Sequence, residues 1–312
     1  MTLKYSYILI LALLFLASSC EKSLVLEYED FKPSLVINAT PNPDAWWSVN
    51  VSYSKNVLES NVTQYEENAK VTIRNLYTQA SFQLFHNSQG NYELVDVYPE
   101  PGQFYELFVE VADYKTVVAR TYVPKLVDAR VINSKKVVYN GNQAIQVDFE
   151  IIDNDEHDNF YIYEILSLDS TNPDGPTIKE YINSPIKKWL STMDGNTGYI
   201  EGNSGKQSKL FVSDKNFKGA VLNTSLVSFL ELDKESEEFP DLIEELPEPD
   251  LGNSKLVLSS VSRDMYSYQR SIELILLHNT INSSISTPNE PYSNIKNGLG
   301  IFAGYSKKLF DL

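Results

Sequence analysis

Gln103-Phe104-Tyr105-Glu106-Leu107-Phe108-Val109-Glu110-Val111-Ala112-Asp113-Tyr114-Lys115-Thr116-Val117-Val118-Ala119-Arg120-Thr121-Tyr122-Val123-Pro124 is written in period two. Tyr105, Leu107, Val109 and Val111 share one face of an extended Phe104–Ala112, and Val117, Ala119, Thr121 and Val123 share one face of Lys115–Val123. Side chains alternate across a strand, so this spacing predicts two strands with one buried face each. Pro124 has no N–H to give to a ladder and ends the run. The same signature extends upstream through Ser34–Ala39, Trp47–Ser54, Lys70–Leu76, the segment holding Phe82 and Leu84, and Tyr92–Val95. Turn residues such as Asn87-Ser88-Gln89-Gly90 and Pro99-Glu100-Pro101-Gly102 separate the segments. About seven short strands at this spacing predict an immunoglobulin- or fibronectin-like β-sandwich over residues 33–125.

Downstream, residues 126–312 predict a second β-sandwich domain. Ile145, Val147, Phe149 and Ile151 alternate, Asn159–Leu168 is rich in aromatic residues, and strand-like stretches recur at Lys209–Ser213, Ser225–Leu232 and Lys255–Ser262. The period then changes. Arg263–Asn282 lacks Gly and Pro and sets Met265, Tyr268, Ile272, Ile275 and Leu276 three and four apart, which predicts one helix near 263–282 with Ser262 or Asp264 as cap. Gly300–Tyr305 reads as a last aromatic strand. Two stretches interrupt the pattern: Asp169–Lys206, rich in turn formers, and the acidic Glu231–Asp250. Both read as solvated loops. The fold class expected is therefore mainly β.

The amino terminus reads as an address. Lys4 precedes ten apolar residues, Ile8–Ala17, and Ser18-Ser19-Cys20 follow. Spanning a bilayer takes roughly 20 apolar residues, so ten match the core of a secretory signal. Leu16-Ala17-Ser18-Ser19-Cys20 resembles a bacterial lipobox, with its leucine one place further from the cysteine than usual. Cys20 is the chain's one cysteine. The expectation is a signal peptide over 1–19, diacylglycerol and palmitate-type acylation on Cys20, attachment to the membrane through that lipid, and a tether over 20–32. An ordinary signal peptide with a chance cysteine is the alternative. Two or three acyl chains hold a protein stably, at about 0.8 kcal/mol per buried CH₂.

Composition narrows the function classes. The 312 residues carry 42 acidic and 26 basic side chains, a net charge of −16, so no nucleic-acid partner is expected. With Cys20 assigned to lipid, no thiol remains for a disulfide, a cysteine–zinc site or a nucleophile. The three histidines, His86, His157 and His278, stand far apart, and neither a Gly-x-Ser-x-Gly elbow nor a paired-histidine metal motif occurs. The expectation is a protein that is not an enzyme, with no catalytic residues, no cofactor and no metal. Two features stand against that plain reading. Asp153-Asn154-Asp155-Glu156-His157-Asp158 places oxygen ligands at alternate positions, as a calcium loop does, but lacks the glycine and distal glutamate of an EF-hand; a turn held by its own Asx bonds is the competing account. Trp46-Trp47 follows Pro41-Asn42-Pro43-Asp44, and adjacent residues on a pleat face opposite ways, so Trp47 is expected in the core and Trp46 outside, where an indole can stack on a sugar.

Several segments together carry a family resemblance. Ser262-Arg263-Asp264-Met265-Tyr266-Ser267-Tyr268 precedes the helix, and Pro291-Tyr292-Ser293-Asn294-Ile295-Lys296-Asn297-Gly298-Leu299-Gly300-Ile301-Phe302-Ala303-Gly304-Tyr305 follows it. Ser34-Leu35-Val36-Ile37-Asn38, Pro101-Gly102-Gln103-Phe104-Tyr105-Glu106-Leu107-Phe108-Val109 and Asn159-Phe160-Tyr161-Ile162-Tyr163 fit in order. Across roughly residues 25–306 the chain resembles the lipoprotein family of domain of unknown function 4249 from Bacteroidota envelopes. The resemblance implies an outer-membrane lipoprotein often encoded beside a TonB-dependent receptor, and the expectation is a non-enzymatic accessory of such a transporter, facing either the cell surface or the periplasm. It implies no activity and no site residues. A surface module for glycans or peptides is the second expectation. Gly298 and Gly300 are expected to serve a positive φ or a close backbone approach.

Overall fold

Alternating apolar residues become strands wherever one face finds a core. A computed structural model describes residues 32–56, 62–139, 142–153, 158–169, 177–182, 209–216, 218–229, 254–281 and 290–312. Cys20, the signal segment and the Glu231–Asp250 run lie outside them. Among the described residues are sixteen strands and one α-helix, so the chain is mainly β. Ser34–Leu312 pack as one unit.

The first sheet has eight strands in the order β15-β1-β2-β5-β4-β3-β6-β7. They are β1 (Leu35–Ala39), β2 (Trp47–Tyr53), β3 (Lys70–Asn75), β4 (Ser81–Ser88), β5 (Asn91–Leu94), β6 (Gln103–Glu110), β7 (Val117–Val123) and β15 (Leu299–Phe302). The seven strands expected between Ser34 and Val123 are all present. They do not form two separate facing sheets: β4 pairs with β3 through Ser81–Leu84 and with β5 through Phe85–Ser88, carrying one ladder around a corner. The sheet curls about its own core, in which Leu35, Ile37, Val49, Val51, Ile73, Leu107, Val109 and Phe302 are fully or almost fully buried. Each such side chain contributes roughly 1.5–3 kcal/mol. Trp47 packs edge-on against Tyr105, with ring centroids 4.8 Å apart.

The eighth strand comes from the far end of the sequence. β15 runs parallel to β1, with Val36 opposite Leu299 and Ala39 opposite Phe302. The segment leading into β15 closes the other side: Lys296 and Val118 exchange backbone bonds of 2.9 and 3.2 Å, and the Asn294 and Asn297 amides donate to the carbonyls of Arg120 on β7 and of Thr116 just before it. The curled sheet is thereby nearly closed. Gly300 makes the approach to β1 feasible. Its φ is +99°, and a Cβ there would stand 2.0 Å from the Ile37 carbonyl oxygen. Gly298 is needed for space alone, since a Cβ would lie 2.9 Å from the Leu35 carbonyl oxygen.

Beyond Pro124 two further sheets share a second core. A three-stranded sheet, β13-β9-β8, is formed by β8 (Asp128–Tyr139), β9 (Asn142–Ile152) and β13 (Val221–Phe229). A five-stranded sheet has β11-β10-β14-β16 in order, with β12 beside β10; its members are β10 (Phe160–Asp169), β11 (Thr177–Ile182), β12 (Leu210–Ser213), β14 (Ser254–Val261) and β16 (Tyr305–Asp311). β11 lies inside the stretch expected to be loop. Ile145, Val147, Phe149 and Ile151 of β9 meet Tyr161, Tyr163 and Ile165 of β10 and Leu256 and Leu258 of β14. The expected Gly300–Tyr305 strand is two strands: β15 joins the first sheet, the chain crosses at Ala303-Gly304, and β16 pairs with β14.

The helix, α1 (Arg263–Ile281), follows β14 directly. Ser262 is its cap, its Oγ accepting the Met265 N–H at 3.1 Å. Met265 and Tyr266 are buried against Phe160, Phe211 and Ile301, so α1 rests on the face of the five-stranded sheet turned away from the second core. No described helix is long and apolar enough to cross a membrane.

Candidate functional site

Strand alternation decides what the helix-covered face displays. Tyr161, Tyr163 and Ile165 of β10 point into the second core, so Ile162 and Glu164 point to the helix side. By the same rule β14 offers Val257, Ser259 and Val261 there, and β16 offers Tyr305, Lys307 and Leu309. The register sets these side chains in rows: Glu164 is opposite Val257, which is opposite Leu309, and Ile162 is opposite Ser259, which is opposite Lys307. Lys209 adjoins Glu164 at the mouth of β12, and Met265 and Gln269 come down from α1 at helical spacing. Together they enclose a hollow of about 300 Å³, at the small end of the range for ligand sites.

The chemistry of this hollow is uneven. The Lys209 ammonium donates to the Gln269 side-chain oxygen at 3.1 Å. Glu164 Oε2 is shielded from solvent and has no hydrogen-bond partner. Burial pushes the Glu164 carboxyl up, and Lys209 and Lys307 only partly offset it. Glu273, one turn beyond Gln269 on α1, is pushed up by burial as well, against the pull of Lys209. A buried polar atom without a partner is uncommon in a native fold and costs about 1–3 kcal/mol. Nothing in the linear sequence marks Glu164, because β10 is buried on both faces and its Phe-Tyr-Ile-Tyr-Glu-Ile run shows no alternation.

A second hollow, of about 280 Å³, lies on the outer face of the first sheet. Its floor is polar. Asn38 of β1 is opposite Asn50 of β2, and Asn50 donates to the Asn91 side-chain oxygen on β5 at 2.8 Å. Trp46 stands at its edge, 42% exposed, while Trp47 is 1% exposed. The two tryptophans thus divide as the pleat predicts. The turn before them is fixed by Asn42, whose Oδ1 accepts the Asp44 N–H at 3.0 Å. The two hollows adjoin, because Thr40 lines both. Tyr305 marks the junction: its N–H bonds the Pro41 carbonyl at 3.1 Å, and its side chain lines the helix-side hollow.

The acidic run from Asp153 is a structural strut at its described ends. Asp153 is buried, and its Oδ1 accepts from Asn159 Nδ2 at 3.1 Å and from the Tyr161 hydroxyl, while Oδ2 accepts the Gly219 N–H at 2.9 Å. Asp214 receives the backbone and side-chain N–H groups of Asn159 at 2.7 and 3.2 Å. Burial raises the Asp214 carboxyl, against the pull of the Asn159 bonds. Asp158 pairs with Lys218 at 3.1 Å on the exposed side. These oxygens serve protein donors, the behaviour of a pinned turn; residues 154–157 lie outside the described set. Among the described residues no group of three His, Cys, Asp or Glu is arranged to hold a metal ion. His86 is exposed on β4 and stacks near Tyr92, with centroids 5.3 Å apart. His157 and the His278 side chain lie outside the described residues.

The molecule is thus a β protein with two adjoining, ligand-sized hollows, one charged and one built from amides and an indole. It belongs to the family of domain of unknown function 4249, whose family model matches residues 21–309. No curated protein matches the sequence. Among solved structures, a proposed carbohydrate binding protein from Bacteroides uniformis is 9% identical, with 89% of this chain and 98% of the other covered and a TM-score of 0.20. The Enterococcus faecalis MSCRAMM ACE, which binds its ligands by the collagen Hug model, is 10% identical over 88% and 96%, with a TM-score of 0.21. Scores of this size do not establish a shared fold and say nothing about ligands.

Proposed function

We propose that this chain is a lipid-anchored, non-enzymatic binding module of the bacterial cell envelope that captures a saccharide and works beside a TonB-dependent outer-membrane transporter. The observation that carries the ligand class is Trp46. A half-exposed indole at the rim of a hollow whose floor is Asn38, Ser48 and Asn50 offers both halves of sugar recognition: an electron-rich ring face for C–H groups and amides and a hydroxyl for sugar hydroxyls. The anchor rests on Cys20 and the apolar run before it, and the transporter on the implication of family membership. In this reading the curled first sheet and the two sheets beyond Pro124 act as a carrier for surface loops.

Titrating the full-length protein with a panel of oligosaccharides while following indole fluorescence tests the ligand. A saturable change that Trp46→Ala removes supports the reading; silence across the panel overturns the saccharide class. For the anchor, Cys20→Ala is expected to move the protein from the membrane to the soluble fraction. Co-isolation with a transporter from native membranes at near-equal amounts is expected from the wild-type protein.

A further inference from the structure

The helix-side hollow is independent of the saccharide reading and has its own chemistry. Ile162, Val257, Val261, Met265 and Leu309 give its wall an apolar part, beside the hydroxyl of Ser259. At one end lies the shielded Oε2 of Glu164, an acceptor with no donor. In the next row, two strands away, stands Lys307, on an exposed position of β16 and near enough to act on the Glu164 carboxyl. A hollow with an acceptor lacking its donor, apolar side chains and a neighbouring cation is complementary to a molecule that carries an ammonium, an apolar side chain and a carboxylate. We propose that this hollow is a binding site for a small apolar zwitterion, a free aliphatic amino acid or a short aliphatic peptide, whose ammonium bonds Glu164 Oε2 and whose carboxylate meets Lys307.

Three alternatives fit less well. A simple anion meets Lys307 but leaves Glu164 unpaired and repelled. An uncharged apolar molecule fills the wall but buries the carboxyl still without a donor, which carries the penalty of an unmade bond. A bare metal ion would have one carboxylate and two ammonium groups around it. The ammonium of the ligand supplies what the fold omits, and it does so in a shielded place where a charge-assisted bond counts for more than in water. Lys209 is held aside by Gln269, so Glu164 keeps an open position toward the hollow.

Calorimetry on the full-length protein in detergent tests this with leucine and two truncations of it. Isopentylamine lacks the carboxylate, and 4-methylpentanoate lacks the ammonium. Leucine is expected to bind saturably and each truncation at least about tenfold more weakly, the loss of one charge-assisted bond. Glu164→Gln is expected to weaken leucine by at least about tenfold, since the amide cannot balance the ammonium charge. Lys307→Ala is expected to weaken leucine but to leave isopentylamine unchanged. Leucyl-leucine separates the two sources: tighter binding than leucine assigns the hollow to peptides, weaker binding to free amino acids. The proposal is overturned if neither leucine nor leucyl-leucine binds, or if 4-methylpentanoate binds as tightly as leucine. If Glu164→Gln does not fold, the ligand truncations and Lys307→Ala decide.

Discussion

Each of the two large sheets shields a glutamate carboxyl oxygen on the face turned away from its main core, and they treat it in opposite ways. In the first sheet Glu106 is 3% exposed and lies in register between Arg74 on β3 and Arg120 on β7. Arg120 donates to it at 2.8 Å and Arg74 also bonds it, while Arg74 lies over the Phe108 ring. Burial alone would raise the Glu106 carboxyl, but the two guanidinium groups outweigh it and hold it below the ordinary value of 4.5. In the five-stranded sheet Glu164 has an apolar cross-strand neighbour, Val257, and its carboxyl is held above that same value. One glutamate is locked into the fold by its neighbours; the other is kept waiting. The difference teaches where to look for stability and where for binding: full pairing across a ladder stabilises, whereas an unmet group is retained at a cost that a ligand can relieve.

The largest expected effect tests whether the two regions stand or fall together. Gly300→Ala places a Cβ against the Ile37 carbonyl at a positive φ, a strain and a clash worth roughly 3–5 kcal/mol. Thermal unfolding of the variant should fall sharply, and amide exchange should rise first in β1 and β7. Equal exchange in β9 and β10 would mean that both cores open as one unit.

Next comes the pair of glutamates. Glu106→Leu strands two arginines, both partly exposed, and is expected to cost about 2 kcal/mol. Glu164→Leu removes an unpaired buried carboxyl from an apolar row and is expected to raise stability by about 1 kcal/mol while abolishing leucine binding. Denaturant unfolding of both variants checks the opposite signs; the same sign for both would break the comparison.

The smallest effect is the pH dependence. Glu106 has a lowered carboxyl, so its contribution is present above pH 4.5 and is lost as pH falls toward its folded value. Glu164 has a raised one, so stability is greatest below 4.5 and declines as pH rises toward its folded value. Between wild type and Glu106→Gln the difference in melting temperature should shrink in acid; between wild type and Glu164→Gln it should grow in neutral solution, with the variant the more stable.

Much of the first sheet was legible because its strands have one dry face and one wet one. Val49, Val51 and Tyr53, or Leu107 and Val109, announce themselves in period two. Trp46 was legible for the same reason. The helix was legible from its three-and-four spacing, and Ser262 as its cap. Other features were hidden by causes that are physical. β15 is four residues long and pairs with a strand at the other end of the chain, which no local pattern encodes. The corner in β4 depends on which neighbour each half meets. Glu164 sits in an apolar run, and its hollow takes its walls from β10, β14, β16, α1 and the flanking Thr40 and Lys209, which come together only in the folded chain. At Asp153 a pinned turn and a calcium loop look alike in sequence, because composition reports which oxygens are present and not which N–H groups reach them.

The parallel pairing of β1 with β15 has a consequence in time. Val36 leaves the ribosome 263 positions before Leu299 (299 − 36), roughly 13 to 50 s earlier at ordinary synthesis rates of about 5–20 residues per second. Through that interval the edge of β1 has no permanent partner, and an unpaired edge is a template for association with other chains. Closure has to await a contact between strands 263 positions apart, which sets folding among the slow, high-contact-order cases. The curled sheet is therefore completed by a strand made long after its partner, and β1 is not secure until that strand arrives.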